Sequence, residues 1–262
     1  MLTDEIIQPS QSPWNFPVSV VPKKMDASGK RKWRICVDFR KLNDVTIGDN
    51  YPLPNVQDIL DKFGRARYFS ALDCASGYWQ VPLAEEDRAK TAFSTPTGHY
   101  EYLRMPFGLK SAPSTFQRLM NNIFIGLLGT RCFVHLDDVI IFGETLQEHN
   151  GRLREVFDKL RQFNLKIERD KCEFLKTELN YLGHVVTSEG VRPDPAKVKA
   201  INEFPIPKNI TDVKSFLGLA GYYRKFIPQF SKLAKPLNEL LKIRIGNGEK
   251  NKQTVLIFCE LC

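Results

Sequence analysis

Long apolar runs are missing from this sequence. No stretch approaches the ~18 residues that a membrane span needs, so a transmembrane segment is not expected. The start, Met1-Leu2-Thr3-Asp4-Glu5, has no basic flank and no apolar core, so a secretory signal is not expected either. No pattern recurs at a period of ~20–50 residues, which excludes a solenoid or a propeller. Cysteine is sparse: six residues stand at 36, 74, 132, 172, 259 and 262, mostly inside apolar runs, as buried free thiols do. That usage reads as a reducing compartment with no disulfide framework. Cys259 and Cys262 form a lone C-x-x-C with no second pair and no nearby histidine, so zinc is not expected there.

What is present describes a globular protein. The 262 residues, 42% hydrophobic and 26% charged, suit one or two folding units. A chain of this length buries on the order of 70–75% of its unfolded surface. Lys and Arg exceed Asp and Glu by 38 to 30, leaving a net charge of +8. An excess of cations suits a polyanionic partner, because Lys and Arg neutralise phosphates and release their counterions. Charge alone also fits a merely soluble basic protein.

Residues 18–24 and 30–40 read as two strands about the turn Asp26-Ala27-Ser28-Gly29. Alternation puts Trp33, Ile35, Val37 and Phe39 on one face, expected to pack, and Lys32, Arg34, Asp38 and Arg40 on the other. Residues 66–72 are apolar enough for a buried strand ending at Asp73, and residues 77–83 read as a polar strand. Residues 111–128 space Phe116, Leu119, Met120, Ile123, Phe124, Leu127 and Leu128 as a helix does. Ser111 is its expected N-cap, Pro113 lies in its first turn and Gly129 stops it. Residues 132–134 and 139–142 are short apolar strands whose brief connection implies an antiparallel hairpin with Asp137 and Asp138 at its tip. Leu153, Val156, Phe157, Leu160 and Phe163 mark a second amphipathic helix, and short strands follow near 172–175 and 181–186. Beyond Asp194 the chain turns helical, with Asp194-Pro195 and Thr211 as helix starts and Pro205 and Pro207 as separators. The expected class is α+β with an appended helical lobe.

The acids carry the chemistry. Two adjacent carboxylates cost little where water reaches them. Between Cys132-Phe133-Val134 and Val139-Ile140-Ile141-Phe142 they are expensive unless a cation neutralises them. Asp73 also ends an apolar strand, Phe69-Ser70-Ala71-Leu72. If the two elements are sheet neighbours, three carboxylates converge. Oxygen-only ligands suit Mg²⁺, which keeps substrate phosphates in its shell. Two such ions about 3.5–4 Å apart activate a 3′-hydroxyl and stabilise a leaving pyrophosphate.

With these acids in view, ten segments in order resemble the reverse transcriptase of gypsy-type long-terminal-repeat retrotransposons, an enzyme similar to the retroviral one. They are Ile6-Ile7-Gln8-Pro9-Ser10; Val20-Val21-Pro22-Lys23-Lys24; Trp33-Arg34-Ile35-Cys36-Val37-Asp38-Phe39-Arg40-Lys41-Leu42-Asn43; Tyr51-Pro52-Leu53-Pro54; Phe69-Ser70-Ala71-Leu72-Asp73; Gly77-Tyr78; Met105-Pro106-Phe107-Gly108-Leu109; Ser111-Ala112-Pro113; Leu136-Asp137-Asp138; and Tyr181-Leu182-Gly183-His184. Each is weak alone; together they are specific, and the resemblance runs from about Ile6 to Leu241.

The resemblance implies a right-hand polymerase fold, with fingers and palm over residues 1–190, a partial helical thumb and start of the connection over 191–242, and a divergent tail over 243–262. It implies RNA-directed DNA synthesis by two Mg²⁺ ions, with Mn²⁺ as a possible substitute, acting on deoxynucleoside triphosphates and a primed RNA or DNA template. Asp73 and Asp137 would ligate the metals, the Cys74 carbonyl would assist, and Asp138 would complete the acidic cluster. Arg34, with Lys24 or Lys23, would cover the incoming triphosphate. Tyr78 would be the sugar gate that excludes a ribose 2′-hydroxyl, with Phe107 lining the same pocket. Leu182-Gly183 would grip the primer end. Lys197, Lys199, Lys208, Lys214, Arg224 and Lys225 would track duplex phosphates. An intracellular location is expected, in a cytoplasmic retroelement particle or the nucleus.

Two departures stand out. Where the family has a tyrosine two positions before the first acid of the pair, this chain has His135, a planar ring that carries charge near neutral pH. By strand alternation it is expected beside Asp137. Residues 243–262 do not resemble the family's continuation, and their acids, Glu249 and Glu260, are too few for RNase H chemistry. The chain therefore reads as a fragment of a longer pol polyprotein. Three readings stay open: an active polymerase, an inactive remnant that still binds nucleic acid, and a fragment too short to fold stably.

Overall fold

Apolar β-branched and aromatic residues alternate with polar ones through the first half of the chain, and these stretches become short strands with helices between them. The computed structural model describes residues 1–22 and 33–242. The chain divides into two compact units, Met1–Thr177 and Glu178–Cys262.

The first unit opens with β1 (Ile7–Pro9), β2 (Val18–Pro22), β3 (Trp33–Val37), α1 (Arg40–Val45) and α2 (Val56–Asp61). Next come β4 (Tyr68–Asp73), α3 (Glu85–Arg88), β5 (Phe93–Thr95), β6 (Gly98–Tyr102) and α4 (Ala112–Ile123). It closes with β7 (Cys132–His135), β8 (Asp138–Gly143), α5 (Leu146–Gln162) and β9 (Glu173–Lys176). Its central sheet runs β7-β8-β4-β9, with antiparallel neighbours throughout. One core lies beneath it: Leu72, Val134, Val139 and Ile141 from the sheet meet Phe116, Met120 and Ile123 of α4 and Val156 and Leu160 of α5. A smaller core, Phe16, Phe39, Phe93 and Tyr102, supports the sheet β1-β6-β5.

The second unit begins with β10 (Glu178–Tyr181), β11 (His184–Thr187) and β12 (Gly190–Pro193), an antiparallel meander. Three helices follow, α6 (Pro195–Asn202), α7 (Ile210–Tyr222) and α8 (Phe230–Lys242), around Ile201, Val213, Phe216, Ala220 and Leu237. Strands and helices segregate as an α+β class requires.

Several local expectations need correction. Residues 77–83 are not a strand. Ser76 adopts a left-handed backbone (φ 50°), and Gly77–Gln80 then closes a 3₁₀ turn in which the Trp79 amide donates to the Ser76 carbonyl. The first long helix stops at Ile123, not Leu128, because Gly126 (φ +83°) breaks the α path before Gly129 does. Ser111 precedes it without a side-chain cap, whereas Asn209, not Thr211, caps α7 by accepting from the Asp212 amide. Trp33 and Ile35 do not pack: they are 56% and 41% exposed on a two-stranded ribbon, and only Val37 and Phe39 reach the core. Arg40 has left the strand for α1, and its guanidinium folds back onto Asp38, holding that carboxyl down at about 2.

A buried polar contact helps tie the sheet to α5. The buried Ser70 hydroxyl of β4 lies 2.9 Å from His149 Nε2 and accepts from the Leu175 amide at 3.0 Å. Burial keeps the His149 imidazole neutral by lowering its pKa. Replacing Ser70 by alanine strands the buried His149 imidazole and frees the Leu175 amide, a cost of about 1–3 kcal/mol. Urea denaturation of Ser70→Ala is expected to show a lower midpoint at an unchanged slope.

Candidate nucleotidyl-transfer site

Strand pairing brings the acids together. β4 and β8 run antiparallel with Asp73 opposite Asp138, and the hairpin β7–β8 ends on the pair His135–Asp138. Directly opposed residues in such a pair send their side chains to the same face, with Cβ atoms about 4.5–5.5 Å apart. Asp137 sits in the two-residue turn, and its carbonyl accepts the Cys74 amide at 3.2 Å. The backbone of the turn is unusual: Leu136 has φ 57°, the left-handed region that a branched side chain seldom adopts. This breaks the strand alternation from which His135 was expected to share a face with Asp137.

The electrostatics follow. Burial, reinforced by the negative charges of Asp137 and Asp73, pushes the Asp138 carboxyl up to about 6, while Lys171 opposes the shift. Lys171 Nζ lies 2.9 Å from Asp73 Oδ1, and this contact raises the lysine further above its ordinary range. The Cys74 thiol is pushed up to about 12 by burial and then by the surrounding acids, so it stays protonated. Among the described residues no three His, Cys, Asp or Glu side chains are gathered closely enough to enclose a metal ion. The donor set is nevertheless all oxygen, and its charge is only partly balanced by Lys171, which suits a hard divalent cation.

Aromatic rings line the approach. Tyr78 packs against Phe107 with ring centroids 5.0 Å apart and against Phe116 at 5.5 Å, and Trp79 meets Phe107 edge-on at 5.7 Å. Tyr78 is half-buried, and its hydroxyl pKa rises through burial and the charge of Asp137. Phe107 keeps 46% of its surface exposed. Gly77 makes this proximity feasible, since a Cβ there would meet Phe116 Cζ at 2.9 Å and Asp137 Cβ at 3.4 Å.

The remaining predicted residues fall elsewhere. Arg34 lies on the exposed ribbon opposite Val21. Lys23 and Lys24, like the tail with Cys259 and Cys262, lie outside the described residues. Leu182 (φ 48°) and Gly183 (φ +75°) form the turn between β10 and β11 in the second unit. Two tyrosines of that unit hold this turn: Tyr222 donates to the Leu182 carbonyl at 2.7 Å and Tyr223 to the Gly183 carbonyl at 2.8 Å. A Cβ on Gly183 would lie 2.9 Å from the Tyr223 hydroxyl. Of the expected phosphate-tracking cations, Lys199 pairs with Glu203 at 3.7 Å.

Sequence reasoning missed three residues here. Gln80 clamps the 75–80 loop to residue 166: its amide donates to the Ala75 and Lys166 carbonyls at 2.9 Å, and its carbonyl accepts the Lys166 amide at 2.7 Å. Lys171 reaches Asp73 only through the tertiary fold, and no local pattern announces it. Gln117 is fully buried and accepts the Leu136 amide at 2.7 Å. It did leave a signal, being a polar residue three before Met120 and seven before Phe124 on an apolar helical stripe.

The family model described as reverse transcriptase (RNA-dependent DNA polymerase) matches residues 21–186. The chain belongs to the reverse transcriptase family. The domain is 55% identical over 244 residues to the retrovirus-related Pol polyprotein from transposon 297 of Drosophila melanogaster, covering 93% of this chain and 23% of that protein. It is 45% identical over 252 residues to that from transposon gypsy of the same organism, covering 96% and 24%. The chain thus spans about a quarter of these curated relatives. Its fold resembles a foamy viral protease-reverse transcriptase, solved in complex with double-stranded DNA, with TM-score 0.86 and 26% identity over 99% of this chain and 46% of that one. The α+β sheet around Asp73 and Asp138 accordingly has the architecture of a polymerase palm. Among the described residues no helix is long and apolar enough to cross a membrane.

The raised carboxyl has a measurable consequence. Asp138 titrates near 3.8 when unfolded and near 6 in the fold. The folded state therefore binds the extra proton between these values, and stability falls as pH rises from about 4 to about 6. Solvent screens part of this effect, leaving on the order of 1 kcal/mol. Thermal melts in a chelator are expected to show Asp138→Asn more stable than the parent at pH 7 and level with it at pH 4.

Proposed function

We propose that this chain catalyses RNA-directed DNA synthesis, adding deoxynucleotides to the 3′ end of a primer. The observation that carries the reading is the register of β4 on β8, which sets Asp73 opposite Asp138 with Asp137 in the adjoining turn. Asp73 and Asp137 would hold divalent metal, Mg²⁺ or Mn²⁺ in its place, and Asp138 would add negative charge to the cluster. Bound there, the metal supplies the charge that activates a primer 3′-hydroxyl and stabilises the leaving pyrophosphate. Lys171 balances one carboxylate where no metal does.

The other residues bind and orient. Arg34 and Lys24 neutralise the triphosphate, and the Cys74 carbonyl faces the same chemistry. Tyr78, packed against Phe116, would exclude a ribose 2′-hydroxyl, and Phe107 would line the same pocket beside it. Leu182-Gly183 offers backbone to the primer end. Residues 1–190 serve as fingers and palm and 191–242 as thumb, whose lysines follow the duplex backbone. The nucleic-acid partner is a primed RNA or DNA template, in keeping with the duplex held by the foamy viral relative. The setting is an intracellular retroelement particle or the nucleus.

His135, where the family has tyrosine, favours a second reading: a remnant that binds primer–template without extending it. Extension of a DNA primer on an RNA template, with Mg²⁺ and separately Mn²⁺, separates the two. Activity that falls at least ~100-fold in Asp137→Asn, a loss of about 2.7 kcal/mol in transition-state stabilisation, supports the polymerase. Binding without extension by the parent chain establishes the remnant, and His135→Tyr is then expected to restore synthesis. In an active chain, Tyr78→Ala is expected to raise ribonucleotide incorporation at least ~10-fold relative to deoxynucleotide, read by competing the two substrates.

A further inference from the structure

The catalytic turn is not held by the sheet alone. The Leu136 amide lies between the last β7 residue and Asp137, outside the ladder that ends at His135 and Asp138. It is received by a side chain, the Oε1 of Gln117, at 2.7 Å. The same carboxamide donates through Nε2 to the Val134 carbonyl at 3.2 Å and to Asn121 Oδ1 at 2.9 Å. Gln117 is 0% exposed. It thus grips the β7 arm on either side of His135 from a rigid helix, and a buried amide left unpaired is costly. Asn121 in turn donates to the Tyr51 hydroxyl at 2.8 Å, and Arg118 lies over the Tyr51 ring at 4.9 Å while pairing with Asp49 at 2.7 Å. A relay therefore runs from the strained residue beside Asp137, through α4, to the segment that crosses it at residues 49–51.

We propose that Gln117 is a positioning residue for Asp137: its carboxamide holds Leu136 in the left-handed conformation that places the acid, and Asn121 and Tyr51 keep the carboxamide in its rotamer. This rests on the polymerase reading for its kinetic consequence, but not for its structural one. Met at position 117 retains length and apolar volume while losing all three hydrogen bonds. Tyr51→Phe removes only the far end of the relay.

Two measurements on the whole chain decide the matter. The first is amide hydrogen exchange of peptides covering residues 133–140, which needs no turnover. Gln117→Met is expected to exchange at least ~10-fold faster there with other core peptides unchanged, and Tyr51→Phe to move the same segment less. The second is steady-state primer extension per folded molecule, in which Gln117→Met is expected to lower kcat at least ~10-fold with the KM for deoxynucleotide held within about twofold. Unchanged exchange at 133–140 in Gln117→Met overturns the proposal, as does a kcat equal to that of the parent. If Gln117→Met fails to fold, Tyr51→Phe decides: faster exchange confined to 133–140 supports the relay, and none overturns it. If the parent chain itself extends no primer, the polymerase reading fails and exchange alone judges Gln117.

Discussion

Six consecutive residue pairs join Tyr68–Asp73 to Asp138–Gly143, and everything at the site depends on their register. A slip by one residue in a strand turns every side chain to the opposite face. Here that slip would drive Asp138 into a core of Val139, Ile141, Met120 and Ile123 and leave Asp73 facing an apolar neighbour. The apolar residues of both strands enforce the pairing through burial, and the acids follow because they occupy the last pair. The placement of the acids is in this sense a by-product of hydrophobic packing: the core fixes the ladder and the ladder fixes the carboxylates.

Beyond the end of that ladder, polar clamps take over from burial. Residues 75–80 leave the sheet through a left-handed Ser76 and are fastened by Gln80 to the backbone of residue 166. The hairpin tip leaves through a left-handed Leu136 and is fastened by Gln117. Each strained position is matched by a side-chain carboxamide that uses both its donor and its acceptor, so the strain is held by the surrounding structure. The turn at Leu182-Gly183 repeats the device in the second unit, with tyrosine hydroxyls in place of amides.

How much of this could be read beforehand varies with the range of the interaction. The hairpin at Asp137-Asp138, the strand ending at Asp73 and the apolar stripe of α4 were legible, because each depends on local periodicity. The conjunction of Asp73 with Asp138 was legible only as a condition, and the polymerase resemblance rested on ordered motifs rather than spacing. Residues 77–83 were misread because alternation over so few residues cannot reveal that Ser76 will take φ 50°. Trp33 and Ile35 were misread because their amphipathic pattern belongs to a ribbon that leaves the core rather than lies on it. Lys171 was invisible: nothing near it in sequence indicates that it will lie 2.9 Å from a residue 98 positions earlier.

The site works against the stability of the fold that carries it. Burial among like charges keeps Asp138 near 6 instead of 3.8, so at neutral pH the folded chain holds an ionised group that it would rather see protonated. Lys171 relieves part of this through Asp73, but one ammonium cannot balance three carboxylates. A purely structural sheet end with these neighbours would gain by replacing Asp138 with asparagine. Carboxylates at the end of an apolar ladder, beside a non-glycine residue in the left-handed region, are what a site for a cation would require. The supporting clamps are carboxamides for a simpler reason: each must accept from one backbone amide and donate to a backbone carbonyl at once, which neither a carboxylate nor an ammonium can do.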